Sequence, residues 1–310
     1  MPYKVAVADS VFPNLDPAKE VLKTIGAELE LASEPTPEAI MKIAADADAV
    51  LVTYAKITGD MIAKMPKVRI ISRFGIGVDN VDIPAATAAG IVVTKVPDYC
   101  IDEVSDHAMA LLLALVRKIP FINAKVHAGE WKMPDVAPIA RLRGSTLGLM
   151  GFGRIPQLVV PKDVFQKLGV EQVDFEQLLT VSDYVSIHSP LVPETKGIFN
   201  ADAFRKMKKT AYVVNTARGP IIDEAALAAA LDAKEIAGAA LDVMTQEPPG
   251  SSPLFGRSNV IITPHTSFYS TEALVELQTK ATQEVVSVLS GQAPRNPVNP
   301  EAVPQATAKR

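Results

Sequence analysis

Runs of consecutive apolar residues, many of them β-branched, alternate along this chain with stretches that open on Asp, Asn, Thr or Pro. In the first hundred residues the apolar runs are YKVAVAD (3–9), AELELA (27–32), AVLVTY (49–54), RIISRF (69–74) and IVVTK (91–95). Each has the length and composition of a strand buried on both faces. Between them DPAKEVLKTIG, PTPEAIMKIAADA, TGDMIAKM and NVDIPAATAAG carry helix start signals, and several end at Gly. Strand, helix, strand at this spacing needs crossover connections, and hence a parallel sheet with helices on both faces. The second half repeats the alternation with TLGLMG (146–151), YVSIH (184–188), AYVVNTA (211–217), GAALDV (238–243) and VIITPH (260–265). Two longer helices are predicted, over 102–119 and from 271 to about 289. The first is apolar on more than one face. The Pro-rich end GQAPRNPVNPEAVPQATAKR reads as a surface tail. The pattern predicts an α/β chain with two parallel sheets.

Composition narrows the setting. At 310 residues the chain is long enough for about two domains. Its 48% hydrophobic and 21% charged content is that of a globular protein. Lys and Arg number 31 against 35 Asp and Glu, a formal charge of −4. That balance argues against a general binder of nucleic acid or anionic membrane. The longest apolar run, AMALLLALV (108–116), is far short of the roughly 20 residues of a membrane span. MPYKVAVADS alternates like a strand, so no signal peptide is read and a cytoplasmic setting is expected. A single cysteine, Cys100, excludes an internal disulfide, and no Cys or His spacing suggests a metal site.

LGLMGFGRIP sets Gly151 and Gly153 at a predicted strand end, the start of a dinucleotide fingerprint. One glycine permits the tight turn, and the next lets a pyrophosphate approach the backbone at a helix N-terminus. The third glycine position holds Pro156. A complete fingerprint continues through a helix to a strand that ends, about 20 residues on, in an acidic residue for the ribose. Only seven residues, 154–160, precede Pro161-Lys162-Asp163, and a parallel crossover needs a dozen or more. Glu171 lies at the right count but in a poor strand context, so no acidic ribose partner is assigned.

Ligands of open α/β sheets gather at the carboxyl ends of strands. Those ends carry His188 after YVSI, Arg218 after AYVVNTA, Asp242 and then Glu247 after GAAL, and His265 after VIITP. Arginine offers a planar fork that matches a carboxylate. Histidine exchanges a proton near neutrality, and a carboxylate on its far nitrogen fixes the tautomer. An Arg, a Glu and a His along one sheet edge read as an anion-binding and proton-transfer group. His107 and His127 read as packing or surface residues, Cys100 as a small packed residue and Trp131 as an interface or packing anchor.

With these residues in view, the chain closely resembles the D-isomer-specific 2-hydroxyacid dehydrogenase family over nearly its whole length. The likeness is carried by SRFGIGVDNVDIPAATAAGI, VPDYCIDEVSDHAMALLLAL, LRGSTLGLMGFGRI, SDYVSIHSPLVPETKGIFN, MKKTAYVVNTARGPIIDEAAL, GAALDVMTQEPP and VIITPHTSFYSTEA. Within the family it looks nearest a branch that includes the C-terminal-binding-protein corepressors. The resemblance implies two doubly wound domains with a cleft between them. One is a flavodoxin-like substrate domain, 1–99 plus 285–310, and the other a Rossmann cofactor domain, 100–284. It implies an NAD-dependent oxidoreductase, with NADP as the alternative cofactor, acting on a small 2-oxo or D-2-hydroxy acid and pairing as a homodimer through the cofactor domain. His265 would be the general acid, Glu247 its partner and Arg218 the holder of the substrate carboxylate. Arg73, Ile76, Gly77 and Phe268 would line the substrate. Gly151, Gly153, Arg154 and Ile155 would meet the pyrophosphate. His188, Pro190 and Thr195 would lie by the adenosine, and Thr216, Ala217 and Asp242 by the nicotinamide.

Against the family, about 20 residues are lacking after GFGRI, the rest of a helix and the ribose-binding strand. That strand is expected between TLGLMG and YVSIH, where its loss would open a gap of one strand spacing, about 4.8 Å on each side. The expectation is therefore a stretch missing from the sequence as read. Val160 and Pro161 Cα atoms about 3.8 Å apart in a well-packed sheet would contradict it. Two other readings stand beside the enzyme: a nucleotide-sensing scaffold like the corepressors, and a paralogue with a defective cofactor site.

Overall fold

The computed structural model describes residues 2–132, 137–151 and 169–308. In chain order its elements are β1 (Lys4–Val7), α1 (Asp16–Lys23), β2 (Glu28–Leu31), α2 (Pro37–Ala44), β3 (Ala49–Val52), α3 (Gly59–Ile62), β4 (Ile70–Arg73), α4 (Ile83–Ala88), β5 (Val92–Thr94), α5 (Ile101–Val116) and α6 (Ile119–His127). There follow β6 (Leu147–Met150), α7 (Phe175–Val181), β7 (Tyr184–Ile187), α8 (Ala201–Lys206), β8 (Tyr212–Asn215), α9 (Glu224–Asp232), β9 (Gly238–Leu241), β10 (Val260–Ile262), α10 (Thr271–Leu289) and α11 (Val303–Ala308). Every predicted strand forms. So does every helix named from the sequence; α6, α7, α8, α9 and α11 are additions to them. Among the described residues no helix is long and apolar enough to cross a membrane.

The chain divides into two compact units, Met1–Tyr99 with Ser270–Arg310, and Cys100–Tyr269. In the first unit the strands run parallel in the order β2-β1-β3-β4-β5, the flavodoxin-like doubly wound order. The central strands β3 and β4 are buried on both faces, which is why AVLV and RIISRF read as continuous apolar runs. The expected boundary at 285 falls instead at Ser270, because the whole of α10 packs on α1, β3 and β4.

The Pro-rich end is not a surface tail. Val298 donates its N–H to the Val93 carbonyl (2.7 Å), and the Asn299 carboxamide accepts from Val93 N–H (2.7 Å) while donating to Thr87 Oγ1 and the Ile91 carbonyl. Arg69, buried just before β4, donates to the carbonyls of Val288 and Leu289 at the end of α10 and of Ala306 and Thr307 in α11. A guanidinium among helix C-terminal carbonyls meets the negative ends of two dipoles. Composition alone does not reveal such side-chain bonds to backbone.

The second unit carries a parallel sheet in the order β10-β9-β8-β7-β6. One face is closed by α5, whose Leu111, Leu112, Leu115 and Val116 pack on Tyr184, Val214 and Ala240. Burying each of those side chains is worth about 1.5–3 kcal/mol. β6 pairs directly with β7, from Leu147 opposite Tyr184 to Met150 opposite Ile187. This corrects the expected place of the lacking strand. In the doubly wound order 3-2-1-4-5-6, strand 1 lies against strand 4 and strand 2 lies on its other side, so no gap opens between β6 and β7. Val160 and Pro161 lie outside the described residues, as do Gly153, Arg154 and Ile155.

Candidate active site

The loops after β8, β9 and β10 are fitted to one another by small residues and side-chain caps. At the end of β8 the fully buried Asn215 accepts from Ala217 N–H (3.0 Å) and donates to the Arg218 carbonyl (2.9 Å), bracketing the NTAR turn. Asn is suited to this work because its side chain mimics a backbone turn. The Arg218 guanidinium donates to the Ala217 carbonyl at 2.8 Å. A Cβ on the next residue, Gly219, would overlap the Met244 carbonyl, so glycine is what lets the Arg218 loop press onto the loop after β9. From that loop Met244 N–H donates to Glu247 Oε1 (2.8 Å), and Glu247 Oε2 lies 2.6 Å from His265 Nδ1. Glu247 and His265 therefore meet directly, and Gly219 sets the Arg218 loop against the loop after β9 that carries Glu247. Glu247, as acceptor, fixes the proton on Nδ1 and leaves Nε2 as the nitrogen for proton exchange.

His265 has φ of 53°, a left-handed conformation that costs a non-glycine residue on the order of 1 kcal/mol. Asp242 imposes it. The Asp242 carbonyl accepts from His265 N–H (2.8 Å), one carboxylate oxygen accepts from Thr263 Oγ1 (2.6 Å) and Thr266 N–H (2.9 Å), and the other accepts from Ser267 N–H (3.0 Å). Burial pushes the Asp242 carboxyl up, but the bonds from Ser267, Thr263 and Thr266 outweigh it and hold the group below its ordinary range. Asp242, expected beside the nicotinamide, thus has both oxygens on the turn that presents His265. Phe268 stands edge-on to the imidazole, 6.1 Å between centroids at 80°.

At the end of β6, Gly151 has φ of 89° and lies so close to the chain after β7 that a Cβ would sit 2.7 Å from Ser189 N. Only glycine satisfies both demands. His188 is largely buried, its Nε2 2.8 Å from Ser186 Oγ, and burial pushes its imidazole down to about 4. Thr195 donates its hydroxyl to the Pro190 carbonyl (2.7 Å) and accepts from Val192 N–H (2.9 Å), closing the loop between them. Two buried polar atoms at these strand ends, His188 Nδ1 and Thr216 Oγ1, have no hydrogen-bond partner among the described residues. Ala217, beside Thr216, is half-buried. A glycine-lined turn next to unsatisfied donors and acceptors fits a polar ligand laid across β6, β7 and β8, as a nicotinamide dinucleotide would be.

In the first unit Arg73 ends β4 and is buried; it donates to the Phe74 carbonyl (2.7 Å), and its guanidinium carbon lies 5.9 Å from the Tyr54 ring centroid. Ile76 and Gly77 follow in the loop, half-buried. Cys100 is buried, as a small packed residue would be. Trp131, read as a packing or interface anchor, is 87% exposed, so it packs little on the described residues. Asn215, Gly219, Thr263 and Ser267 are supporting residues that sequence reasoning misses. The run of hydroxyl side chains around His265, in TPHTS, is the available signal for the last two.

Comparison with known proteins bears on the family and the fold. The family model for the D-isomer specific 2-hydroxyacid dehydrogenase NAD binding domain matches residues 109–162 and 159–267. Its two stretches meet where the fingerprint is cut short. The D-3-phosphoglycerate dehydrogenase of Methanocaldococcus jannaschii is 38% identical over 321 aligned positions, covering 97% of this chain and 60% of that protein. Since 97% of 310 residues is about 301, that alignment holds some 20 positions with no counterpart here. The glyoxylate reductase of Thermofilum pendens is 37% identical, covering 87% of this chain and 86% of the relative. The TT0316 protein from Thermus thermophilus superposes with a TM-score of 0.85 at 31% identity, over 95% of this chain and 99% of that one. The chain spans about 60% of the length of the phosphoglycerate dehydrogenases that it matches. The narrower likeness to the corepressor branch finds no support among these relatives. By family model, curated relatives and fold alike, this chain belongs to the D-isomer specific 2-hydroxyacid dehydrogenase family.

Proposed function

We propose that this protein reduces a small 2-oxo acid to the D-2-hydroxy acid, and carries out the reverse oxidation, with a nicotinamide cofactor. The observation that carries this reading is the Glu247–His265 pair, 2.6 Å apart and held by Asp242 and Met244 in a conformation the backbone resists. Gly151, His188, Thr216 and Ala217, with Gly153, Arg154 and Ile155 beyond the described residues, would hold the dinucleotide, with Pro190 and Thr195 beside its adenosine. When bound and reduced, that cofactor supplies the hydride to the carbonyl carbon. Arg218 grips the substrate carboxylate with its fork, and Phe268, edge-on to His265, bounds the substrate. His265 gives the proton on Nε2 to the carbonyl oxygen, while Glu247 offsets the charge of the imidazolium; on oxidation the proton returns. Such general acid catalysis is worth about 10²–10⁴ in rate.

A homodimer through the second unit is part of the proposal. Met109 and Leu113, one helical turn apart on α5, are exposed, as are Ile119 and Val126 on α6 and Trp131 just beyond it. An apolar stripe of this kind suits a partner of the same sequence. A reducing, cytoplasmic setting accords with a chain that carries a single, buried cysteine.

The alignment favours one second reading. Some 20 aligned positions have no counterpart here and the family model breaks at 159–162, near where the resemblance implies the acidic ribose partner, so on this reading the chain keeps its acid–base pair and binds no nucleotide. Reduced NAD and NADP, each titrated by fluorescence and then offered with glyoxylate, hydroxypyruvate, pyruvate and bulkier 2-oxo acids, separate the two. Turnover with any pair supports the dehydrogenase; no binding of either cofactor supports the defective paralogue.

A further inference from the structure

His107, on α5, has a partner that the proposed chemistry leaves unused. Its Nε2 lies 3.1 Å from Thr263 Oγ1 and 3.6 Å from Asp242 Oδ1. A threonine hydroxyl has one proton, and the 2.6 Å bond from Thr263 to the Asp242 carboxylate takes it. His107 must therefore donate, through an Nε2–H on the Thr263 hydroxyl, with the Asp242 carboxylate lying just beyond hydrogen-bond reach. Asp242 is nearly fully buried, and its oxygens are what tie down Thr266 and Ser267, the residues that follow His265 in the turn and hold it at φ 53°. Three links then run from a helix outside the strand-end loops to the proton donor: imidazole, hydroxyl, carboxylate.

We propose that His107 is a positioning residue for the reaction, which holds the Thr263–Asp242 bond and through it the turn that presents His265. The proposal rests on the function proposed above, in which His265 is the acid. The Thr263 hydroxyl keeps its proton on Asp242 most firmly while its own lone pair is matched, and an N–H from α5 supplies that match. Without it the Thr263 hydroxyl is free to turn, Asp242 loosens, and His265 relaxes from a conformation that its own backbone disfavours. A displacement on the order of 1 Å at a catalytic group can cost about 10²-fold in rate.

The test compares His107→Leu, His107→Gln and Thr263→Val with the unaltered chain. His107→Leu should lower kcat by about 10–100-fold and leave KM for the reduced cofactor within about twofold. Glutamine places an N–H near the Nε2 position, so His107→Gln should recover most of kcat. Thr263→Val should reproduce the leucine variant, and the two together should be no worse than either alone, as expected of one linked pair. Amide hydrogen exchange supplies a readout independent of turnover: Thr266 and Ser267 should exchange about 10-fold faster in His107→Leu, while β8 amides stay protected. Unchanged kcat, or a loss of kcat with unchanged exchange at those two amides, overturns the proposal. If the unaltered chain turns over no 2-oxo acid, the function proposed above fails instead, and the exchange comparison still decides whether His107 holds the turn.

Discussion

At the scale of single residues, the site depends on side chains whose neighbours do more than their own chemistry suggests. Arg218 is the simplest case: a planar fork on a carboxylate cannot be reproduced by one ammonium. Arg218→Lys should raise KM for the 2-oxo acid by about 10-fold or more with cofactor affinity retained, read from steady-state kinetics against a binding titration. His188 makes a prediction about pH. Its folded value of about 4 lies below the unfolded value near 6.5, so between those limits the unfolded chain binds a proton that the folded one refuses. Stability should fall as pH drops from about 6.5 to 4, by at most about 3 kcal/mol from this group. Denaturant titrations across that window should show a flatter fall in His188→Gln than in the unaltered chain; equal slopes would show that His188 is not the group responsible. Glu247, His265 and Arg218 can be picked out in the sequence because strand ends concentrate chemistry. Asn215 and the grip of Asp242 cannot, since a side chain's partners across a loop are fixed by three-dimensional approach and not by spacing.

At the scale of elements, the alternation of apolar runs and capped helices is legible, because central strands such as β3 and β4, buried on both faces, and helices with Asp or Thr caps announce themselves, although the edge strand β2 is largely exposed. Asp82 and Thr58, for instance, cap α4 and α3 through Ala85 and Met61 N–H. Two features resist. The Pro-rich end reads as a tail because prolines suppress helix and strand signals, yet its docking relies on hydrogen bonds from Arg69 and Asn299 that no local pattern encodes. The second is the place of β6, whose neighbour depends on how the doubly wound order is applied and not on its own residues. Arg69→Leu should leave the Ala306 and Thr307 carbonyls without their guanidinium donor, while Leu289 keeps the Tyr3 hydroxyl and Val288 keeps Gly291 N–H, and cost about 2–4 kcal/mol, since each buried group left unmatched costs roughly 1–3 kcal/mol. Chemical denaturation measures the loss, and faster amide exchange over 288–307 than over β3 would locate it. A loss below about 0.5 kcal/mol would mean that α10 and α11 are held by their apolar faces alone.

For the whole molecule, the family, the two sheets and the proposed chemistry agree, and the one discord is local. Some 20 positions of the alignment with a relative have no counterpart here, and the two stretches of the family model meet at 159–162, between β6 and α7 in the sequence. That location spares the strands that carry Arg218, Glu247 and His265 and bears instead on nucleotide binding, so acid–base chemistry and cofactor binding can be judged apart. The most direct measurement is the steady-state reduction of a 2-oxo acid by the unaltered chain and by His265→Ala, followed through oxidation of the reduced nicotinamide, with cofactor binding titrated in parallel. Turnover in the unaltered chain, a fall of about 10²–10⁴-fold in the variant and nearly equal cofactor affinity are the predicted results. Equal rates in the two proteins would contradict the assignment of His265 as the proton donor and with it the mechanism built on the loops after β8, β9 and β10.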